Sequence, residues 1–214
     1  MDRLIPFTAD VYAGMFARYN AETWPALVLA LLLGAVALIC VRRGEPRAGR
    51  ILAFTLATYW VWTGWAFFIQ TYAGLNWAAV PFGALFIAQG VLTALWGGVL
   101  GRFETAAGRT RSVEIGTALL FAALLGHPVL TYAFGHPIDT AHGFGTAPAT
   151  VALIAVAALY LIYGRAVLWL ALWPVLWAAW DLASAWTMGL WRDVPLPALT
   201  LFFAAWLAAQ RLRR

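Results

Sequence analysis

Hydrophobic residues occur in seven long runs that are separated by short polar segments. At about 1.5 Å per residue, each run forms a helix that crosses, or nearly crosses, a hydrocarbon core of about 30 Å. The runs are Trp24–Val41, Ile51–Gln70, Trp77–Leu100, Val113–Ala133, Pro148–Tyr163, Ala166–Met188 and Pro195–Gln210. The pattern predicts an all-α, polytopic transmembrane helical bundle of about seven spans. Because the fifth and seventh runs are short, a bundle of six spans is the alternative.

A separate short helix is predicted ahead of the first run. Thr8 can cap this helix, and Asp10 in its first turn interacts favourably with the helix dipole. Apolar side chains share one face at helical spacing: Val11, Tyr12, Met15, Phe16 and Tyr19. Polar residues and a proline within residues 20–25 then predict a turn. We expect residues 1–23 to form an amphipathic segment along the outer membrane surface, or over the mouth of the bundle, and residues 24–214 to form one transmembrane domain.

The arginines indicate the orientation of the bundle. Hydrophobic residues make up 64% of the chain and charged residues only 11%, about half the charged share of a soluble domain. With the N-terminus outside, the outer side holds Arg3, Arg18 and Arg192. The inner side holds Arg42, Arg43, Arg47, Arg50, Arg102, Arg109, Arg111, Arg165, Arg211, Arg213 and Arg214. Because positive charge near span ends is retained in the cytoplasm, we expect an outer N-terminus, a cytoplasmic C-terminus and no nucleic-acid partner.

Four polar residues within the runs form a candidate intramembrane polar site. A carboxylate at Asp181 costs roughly 2.5–3.5 kcal/mol in a span unless it is paired, protonated or exposed to water. His127 lies at a similar depth, so it can pair with Asp181 if the two helices touch. Ser184 follows Asp181 by about one turn, and Gln89 lies near the middle of the third run. The functional interpretation is an outward-facing polar cavity, and the structural one is hydrogen bonding between helices.

Aromatic residues recur along one face of the predicted sixth helix, at Trp173, Trp177 and Trp180. Such a face can line a pocket for an apolar or cationic ligand, or it can fill space between helices. Glycines recur every seven residues along the third run, and they predict the close approach of a neighbouring helix: Gly83, Gly90 and Gly97.

The connection after the fourth run carries a His-x-x-Asp-x-x-His pattern at His136, Asp139 and His142. These side chains are adequate ligands for zinc or a related divalent ion, and a polar surface loop is the alternative. The single cysteine excludes an internal disulfide and a thiolate metal cluster. The sequence carries no phosphate-binding loop, serine-hydrolase elbow or zinc-protease helix. We therefore expect no cofactor, and the sequence carries no strong signal of enzymatic chemistry.

Several segments resemble a bacterial integral-membrane family, the domain of unknown function 6064. They are Arg18–Pro25, Trp60–Gly64, Asn76–Gly83, Phe86–Gln89, and the segment that begins at Gly135 and His136 and ends with Phe144–Pro148. The resemblance covers nearly the whole chain and implies a multi-pass protein of the bacterial inner membrane, without implying an activity. In the family, a Cys-Pro-Thr run follows the last of these segments, whereas this chain has Ala149 and Thr150 in place of Cys and Pro. The family also tends to have prolines where this chain has Asp139 and His142, so the resemblance implies neither a thiol-dependent role nor a metal site.

Two classes of function follow from these residues. The first is a small-solute or ion permease whose outward-opening cavity holds Asp181, Ser184 and His127. The second is a non-catalytic accessory or structural subunit whose tryptophan and glycine faces pack against partner helices or lipid. A membrane enzyme that uses His136, Asp139 and His142 is a distant third. The partners to expect are the lipid bilayer, an unidentified small molecule or ion, and a second copy or another membrane protein.

Overall fold

The structure is a computed structural model, which describes residues 7–105, 110–163 and 166–213, the side chains of residues 166 and 167 excepted. Four of the arginines used to orient the bundle lie outside the described residues: Arg3, Arg109, Arg165 and Arg214. Residues 1–6 of the predicted amphipathic segment and residue 214 of the predicted transmembrane domain also lie outside them.

Seven α-helices form a bundle in the described part of the chain. They are α1 (Ala9–Arg43), α2 (Ala48–Trp62), α3 (Ala79–Thr93), α4 (Arg111–Ala133), α5 (Pro148–Leu161), α6 (Leu172–Met188) and α7 (Pro195–Leu212). Three helices have continuations: a π-helix (Thr63–Thr71) and a 3-10 turn (Tyr72–Gly74) after α2, a π-helix (Ala94–Val99) after α3, and a 3-10 segment (Ala166–Ala171) before α6. Each predicted run therefore lies largely within one helix, taken with its continuation where it has one, although α1 begins well before the first run.

Five of these helical segments are long and apolar enough to cross a membrane. They are Ala9–Arg43, Ala48–Gly74, Ala79–Val99, Arg111–Ala133 and Leu168–Met188. Helix α5 is apolar but has only 14 residues, which corresponds to a length of about 21 Å. Helix α7, with 18 residues, is not one of the five.

Helix α1 is a single helix of 35 residues, so the prediction of a separate short helix before the first span is wrong. Thr8 caps it as predicted, accepting a hydrogen bond from the Val11 N–H at 3.4 Å. The helix then continues through Pro25. Asn20 does not form a turn, because its side-chain amide donates to the carbonyls of Asp139 and Ala141 at 2.6 and 2.8 Å. Packing against the α4–α5 connection thus outweighs the local turn signal.

Glycines allow α2 and α3 to approach each other closely, as the spacing on the third run predicts. A Cβ atom on Gly83 would lie 2.7 Å from the carbonyl oxygen of Gly64, which is in the continuation of α2. One on Gly90 would lie 2.7 Å from Val61. The glycine face of the third run is therefore filled by α2 and its continuation.

Helix α5 lies at the centre of the bundle, and all of its residues are buried. It contacts α2, α4, α6 and α7. Residues 140–142 and 144–147, which lead into α5, are buried as well. The hydroxyl of Tyr19 donates to the Thr146 carbonyl at 2.9 Å, so α1 covers this connection. Non-helical backbone at this depth is tolerated because it is enclosed in protein.

Successive helices run in opposite directions, so the connections between them lie alternately at the two ends of the bundle. One end, here called the N-terminal end, contains the start of α1 and the α2–α3, α4–α5 and α6–α7 connections. Of the described arginines, this end holds Arg18 and Arg192, and the opposite end holds Arg42, Arg43, Arg47, Arg50, Arg102, Arg111, Arg211 and Arg213. At the opposite end, Arg42 of α1 pairs with Glu114 of α4 at 3.2 Å.

Candidate functional site

A pocket opens at the N-terminal end of the bundle, between α1, the continuation of α2, α6 and the α6–α7 connection. The pocket is small, with a cavity volume of about 20 Å³, and it is partly open to the outside. Five aromatic residues line it: Tyr12, Phe67, Tyr72, Trp177 and Trp180. Its polar lining residues are Asp181, Ser184 and Asp193.

Asp181 and Trp177 each have a buried polar side-chain atom in this pocket without a hydrogen-bond partner among the described residues, and Asp181 is the acidic one of the two. Asp181 lies on α6 and is only 8% exposed. Its Oδ2 atom is buried and has no hydrogen-bond partner among the described residues. A buried ionised carboxylate is costly unless a cation or hydrogen-bond donors compensate it. A ligand that brings a positive charge or a hydrogen-bond donor would therefore compensate the Asp181 carboxylate.

The same face of α6 carries the other pocket residues of this helix. Trp177 precedes Asp181 by one turn, and Ser184 follows it by about one turn, so all three project to one side. The Ser184 hydroxyl donates to the Trp180 carbonyl at 2.9 Å. Because its hydrogen is used within the helix, Ser184 presents lone pairs and acts as an acceptor towards the pocket.

Aromatic contacts hold the walls of the pocket. The Tyr12 and Tyr72 ring centroids lie 6.2 Å apart, and Phe67 is 5.8 Å from Tyr72. On the α6 side, Phe82 of α3 packs against Trp177 and Trp180 at 5.6 and 5.5 Å. The rings are thus fixed by one another before any ligand enters.

A hydrogen-bonded network lies next to the pocket and shares Asp193 with it. His127 of α4 lies 2.7 Å from Asp193 through its Nε2 atom and is fully buried. Its Nδ1 atom accepts a hydrogen bond from the His142 backbone N–H at 3.0 Å. Because Nδ1 accepts, the proton is on Nε2, which donates to the Asp193 carboxylate. His127 therefore pairs with Asp193 rather than with Asp181.

Arg192 completes this network. Its Nε atom lies 3.3 Å from Asp193 Oδ1, and its NH1 group donates to the Thr140 hydroxyl at 2.9 Å. Burial raises the pKa of Asp193, whereas the hydrogen bond from His127 and the Arg192 guanidinium lower it, and the pKa lies below its ordinary value. Asp193 is thus a carboxylate whose charge is compensated inside the protein.

His142 stacks between two rings. Its centroid lies 3.7 Å from that of His127, with planes inclined by 10°, and 4.2 Å from that of Phe16. Burial, and then the neighbouring His127, hold the pKa of His142 well below its ordinary value in spite of the Asp193 carboxylate. Both of its ring nitrogens are buried without a hydrogen-bond partner among the described residues. His142 is therefore a neutral ring packed in an aromatic stack.

Three groups of this network could contribute ligands to a metal ion. One ligand atom each from His127, His142 and Asp193 lies within 4.8 Å of the others. Two features oppose a divalent ion: Asp193 is already paired with Arg192, and the lone pairs of stacked imidazoles lie in nearly parallel planes instead of converging. The other two residues of the predicted metal pattern, His136 and Asp139, are exposed and do not belong to this group.

The structure brings only some of the predicted site residues together. Asp181, Ser184, Trp177 and Trp180 meet in the pocket, and His127 lies in the adjoining network. Gln89 donates to the Leu170 carbonyl at 3.2 Å, about 16 Å along α6 from Asp181, so it connects two helices away from the pocket. Trp173 packs beside Phe86 at 6.0 Å and does not line the pocket.

Sequence reasoning missed Asp193 and the pocket role of Tyr12. Asp193 follows an arginine in a short connection, which is the ordinary appearance of an exposed loop charge, although it is 4% exposed. Tyr12 lies on the apolar face of the N-terminal segment, which is typical of a packing residue, although it lines the pocket. One signal was available, since the α6–α7 connection is bounded by apolar residues, Leu190 and Val194.

Comparison with known protein families assigns the chain to one of them. A model described as a family of unknown function (DUF6064) matches residues 9–213, which include every helix of the bundle and every residue of the pocket. The chain belongs to this family. No curated protein and no solved structure matches the chain.

Proposed function

We propose that this protein is a membrane permease for a small solute, which it binds in the pocket beside Asp181. The observation that carries the proposal is the buried, unpartnered Asp181 Oδ2 atom in the wall of a pocket at the N-terminal end of the bundle. An ionisable residue within a membrane helix is retained at a cost, and residues of this kind mark solute and ion pathways.

The distribution of arginines supports an outward-facing pocket. The described arginines are concentrated at the end opposite the pocket, and positive charge near span ends is retained in the cytoplasm. In this orientation the solute enters from outside, between the start of α1 and the end of α6. Asp181 is then reached before the solute meets the buried α5.

Uptake into proteoliposomes tests the proposal. We would measure the entry of four radiolabelled probes, methylammonium, rubidium ion, glycine and glucose, with empty liposomes as the baseline. At least one probe should enter faster than the baseline, and Asp181→Asn should reduce its uptake at least tenfold. Asp139→Asn is the matched control, because this carboxylate is exposed near the same end of the bundle, and it should leave uptake unchanged. Baseline uptake of all four probes, or equal uptake by correctly folded Asp181→Asn protein, would refute the proposal.

A labelling experiment tests the orientation separately. Cys40 is the single cysteine, so a Cys40→Ser background makes one introduced thiol specific. In that background, Ser184→Cys should react with a membrane-impermeant maleimide added to intact cells. Reaction only after the cells are permeabilised would place the pocket on the cytoplasmic side and contradict the outward orientation.

A further inference from the structure

Among the described residues around the pocket, Asp181 is the acidic group that has a carboxylate oxygen without a partner. Asp193 is compensated by Arg192 at 3.3 Å and by the hydrogen bond from His127. His142 is neutral. No arginine side chain of the described residues lines the pocket. An ionised Asp181 therefore requires one positive charge, and the solute is the remaining source of it.

The pocket wall selects the kind of cation. Hard metal ions such as Na⁺, Mg²⁺ and Ca²⁺ prefer several oxygen ligands, whereas five of the eleven residues that line this pocket are aromatic. Aromatic faces attract ammonium groups through the cation–π interaction, most strongly for tryptophan. Trp177, Trp180 and Tyr12 place aromatic rings in the same pocket wall as the Asp181 carboxylate, and Ser184 offers an additional acceptor for an N–H group.

We propose that the solute is a small ammonium-type cation, ammonium or a short alkylammonium, that pairs with Asp181 among the rings of Tyr12, Trp177 and Trp180. This inference rests on the proposed permease function and names its substrate class. A single positive charge balances Asp181, whereas a divalent metal ion at the neighbouring histidines would add two charges beside Arg192. The cavity volume of about 20 Å³, partly open to the outside, suits a solute of roughly one or two heavy atoms.

Binding to the full-length protein in detergent tests the substrate class. Methylammonium chloride would be titrated by isothermal calorimetry, with sodium chloride and zinc chloride as comparison probes. Methylammonium should bind saturably and more tightly than Na⁺, and Asp181→Asn should weaken it at least tenfold. Trp180→Leu removes a ring but keeps an apolar side chain, and it should weaken binding about threefold to thirtyfold.

The matched control is Trp173→Leu, which removes a tryptophan from the same helix outside the pocket and should leave methylammonium affinity unchanged. Gel filtration of each variant shows that it is folded. Methylammonium affinity that is insensitive to both Asp181→Asn and Trp180→Leu would overturn the inference. So would Zn²⁺ binding that His142→Gln abolishes, in protein that does not bind methylammonium.

Failure of this inference can be distinguished from failure of the proposed function. If methylammonium binds at Asp181 but no probe enters liposomes, the ligand class stands and the permease function falls. If another probe enters in an Asp181-dependent way and methylammonium neither binds nor competes, the permease function stands and the ligand class falls.

Discussion

The close contact between Gly64 and Gly83 provides a quantitative test of how tightly the helices pack. A Cβ atom on either glycine would lie 2.7 Å from the carbonyl oxygen of the other, and ordinary contact begins at 3.4 Å. The two backbones must therefore separate by about 0.7 Å to accept one methyl group. Overpacking of this kind costs roughly 1–3 kcal/mol, and the gain in helix propensity from glycine to alanine returns about 0.5–1 kcal/mol. Each single substitution should thus destabilise the protein by about 1 kcal/mol, within a range of about 0–2.5 kcal/mol.

The double variant provides the sharper result. Gly64→Ala and Gly83→Ala require the same separation of the same two backbones, so the second methyl group costs less than the first. The loss in the double variant should fall short of the sum of the single losses by more than about 0.5 kcal/mol. Gly14→Ala is the control: it has no atom within 4 Å of the added methyl and should stabilise α1.

Unfolding in mixed micelles by increasing mole fractions of sodium dodecyl sulfate, followed by tryptophan fluorescence, measures these differences. The 13 tryptophans provide a strong signal. Strict additivity, or a stabilising Gly83→Ala, would refute the packing of α2 on α3 described above.

Two further substitutions test contacts of α1. Tyr59→Phe removes a hydroxyl that donates to an α1 carbonyl at 2.6 Å. This variant should lower the unfolding free energy by about 0.5–1.5 kcal/mol in the same micelle assay. Tyr132→Phe, at an 80% exposed position, should not change the unfolding free energy. Asn20→Ala removes both hydrogen bonds to the α4–α5 connection and should speed amide hydrogen exchange at residues 139–142, measured by mass spectrometry. Glu22→Ala, an exposed change on the same helix, should leave that exchange unaltered, and equal acceleration by both variants would contradict the role of Asn20.

The helices could be predicted from the sequence because an apolar run of this length has few structural alternatives to a helix. The glycine contacts were predictable for a related reason, since small residues at a helical spacing mark a close approach. Continuity of α1 through Pro25 was not predictable, because it depends on Asn20 reaching backbone carbonyls about 120 positions away. The alternation of the helices brings Asp193 to His127, 66 positions apart, and no local pattern identifies that pair.

Asp181 shows what a sequence can and cannot establish about a site. Its cost within an apolar run is visible from the sequence and marks it as a residue to explain. Its surroundings are not visible, because Tyr12 and Tyr72 come from other helical segments. The predicted polar site and aromatic face thus include Asp181, which lines a pocket, and Gln89 and Trp173, which the structure places outside that pocket.

The enclosure of α5 affects how the chain can vary. A helix that faces lipid on one side tolerates exchanges among apolar residues on that side, so its pattern of tolerated substitutions repeats about every 3.6 residues. Helix α5 is surrounded by α2, α4, α6 and α7 and has no such side. Its alanines and β-branched residues are sized to four neighbours at once, and enlarging or shrinking any of them disturbs packing. Saturation mutagenesis should therefore show a uniformly intolerant block of 14 positions, without helical periodicity, in the middle of a chain whose lipid-facing helices vary freely.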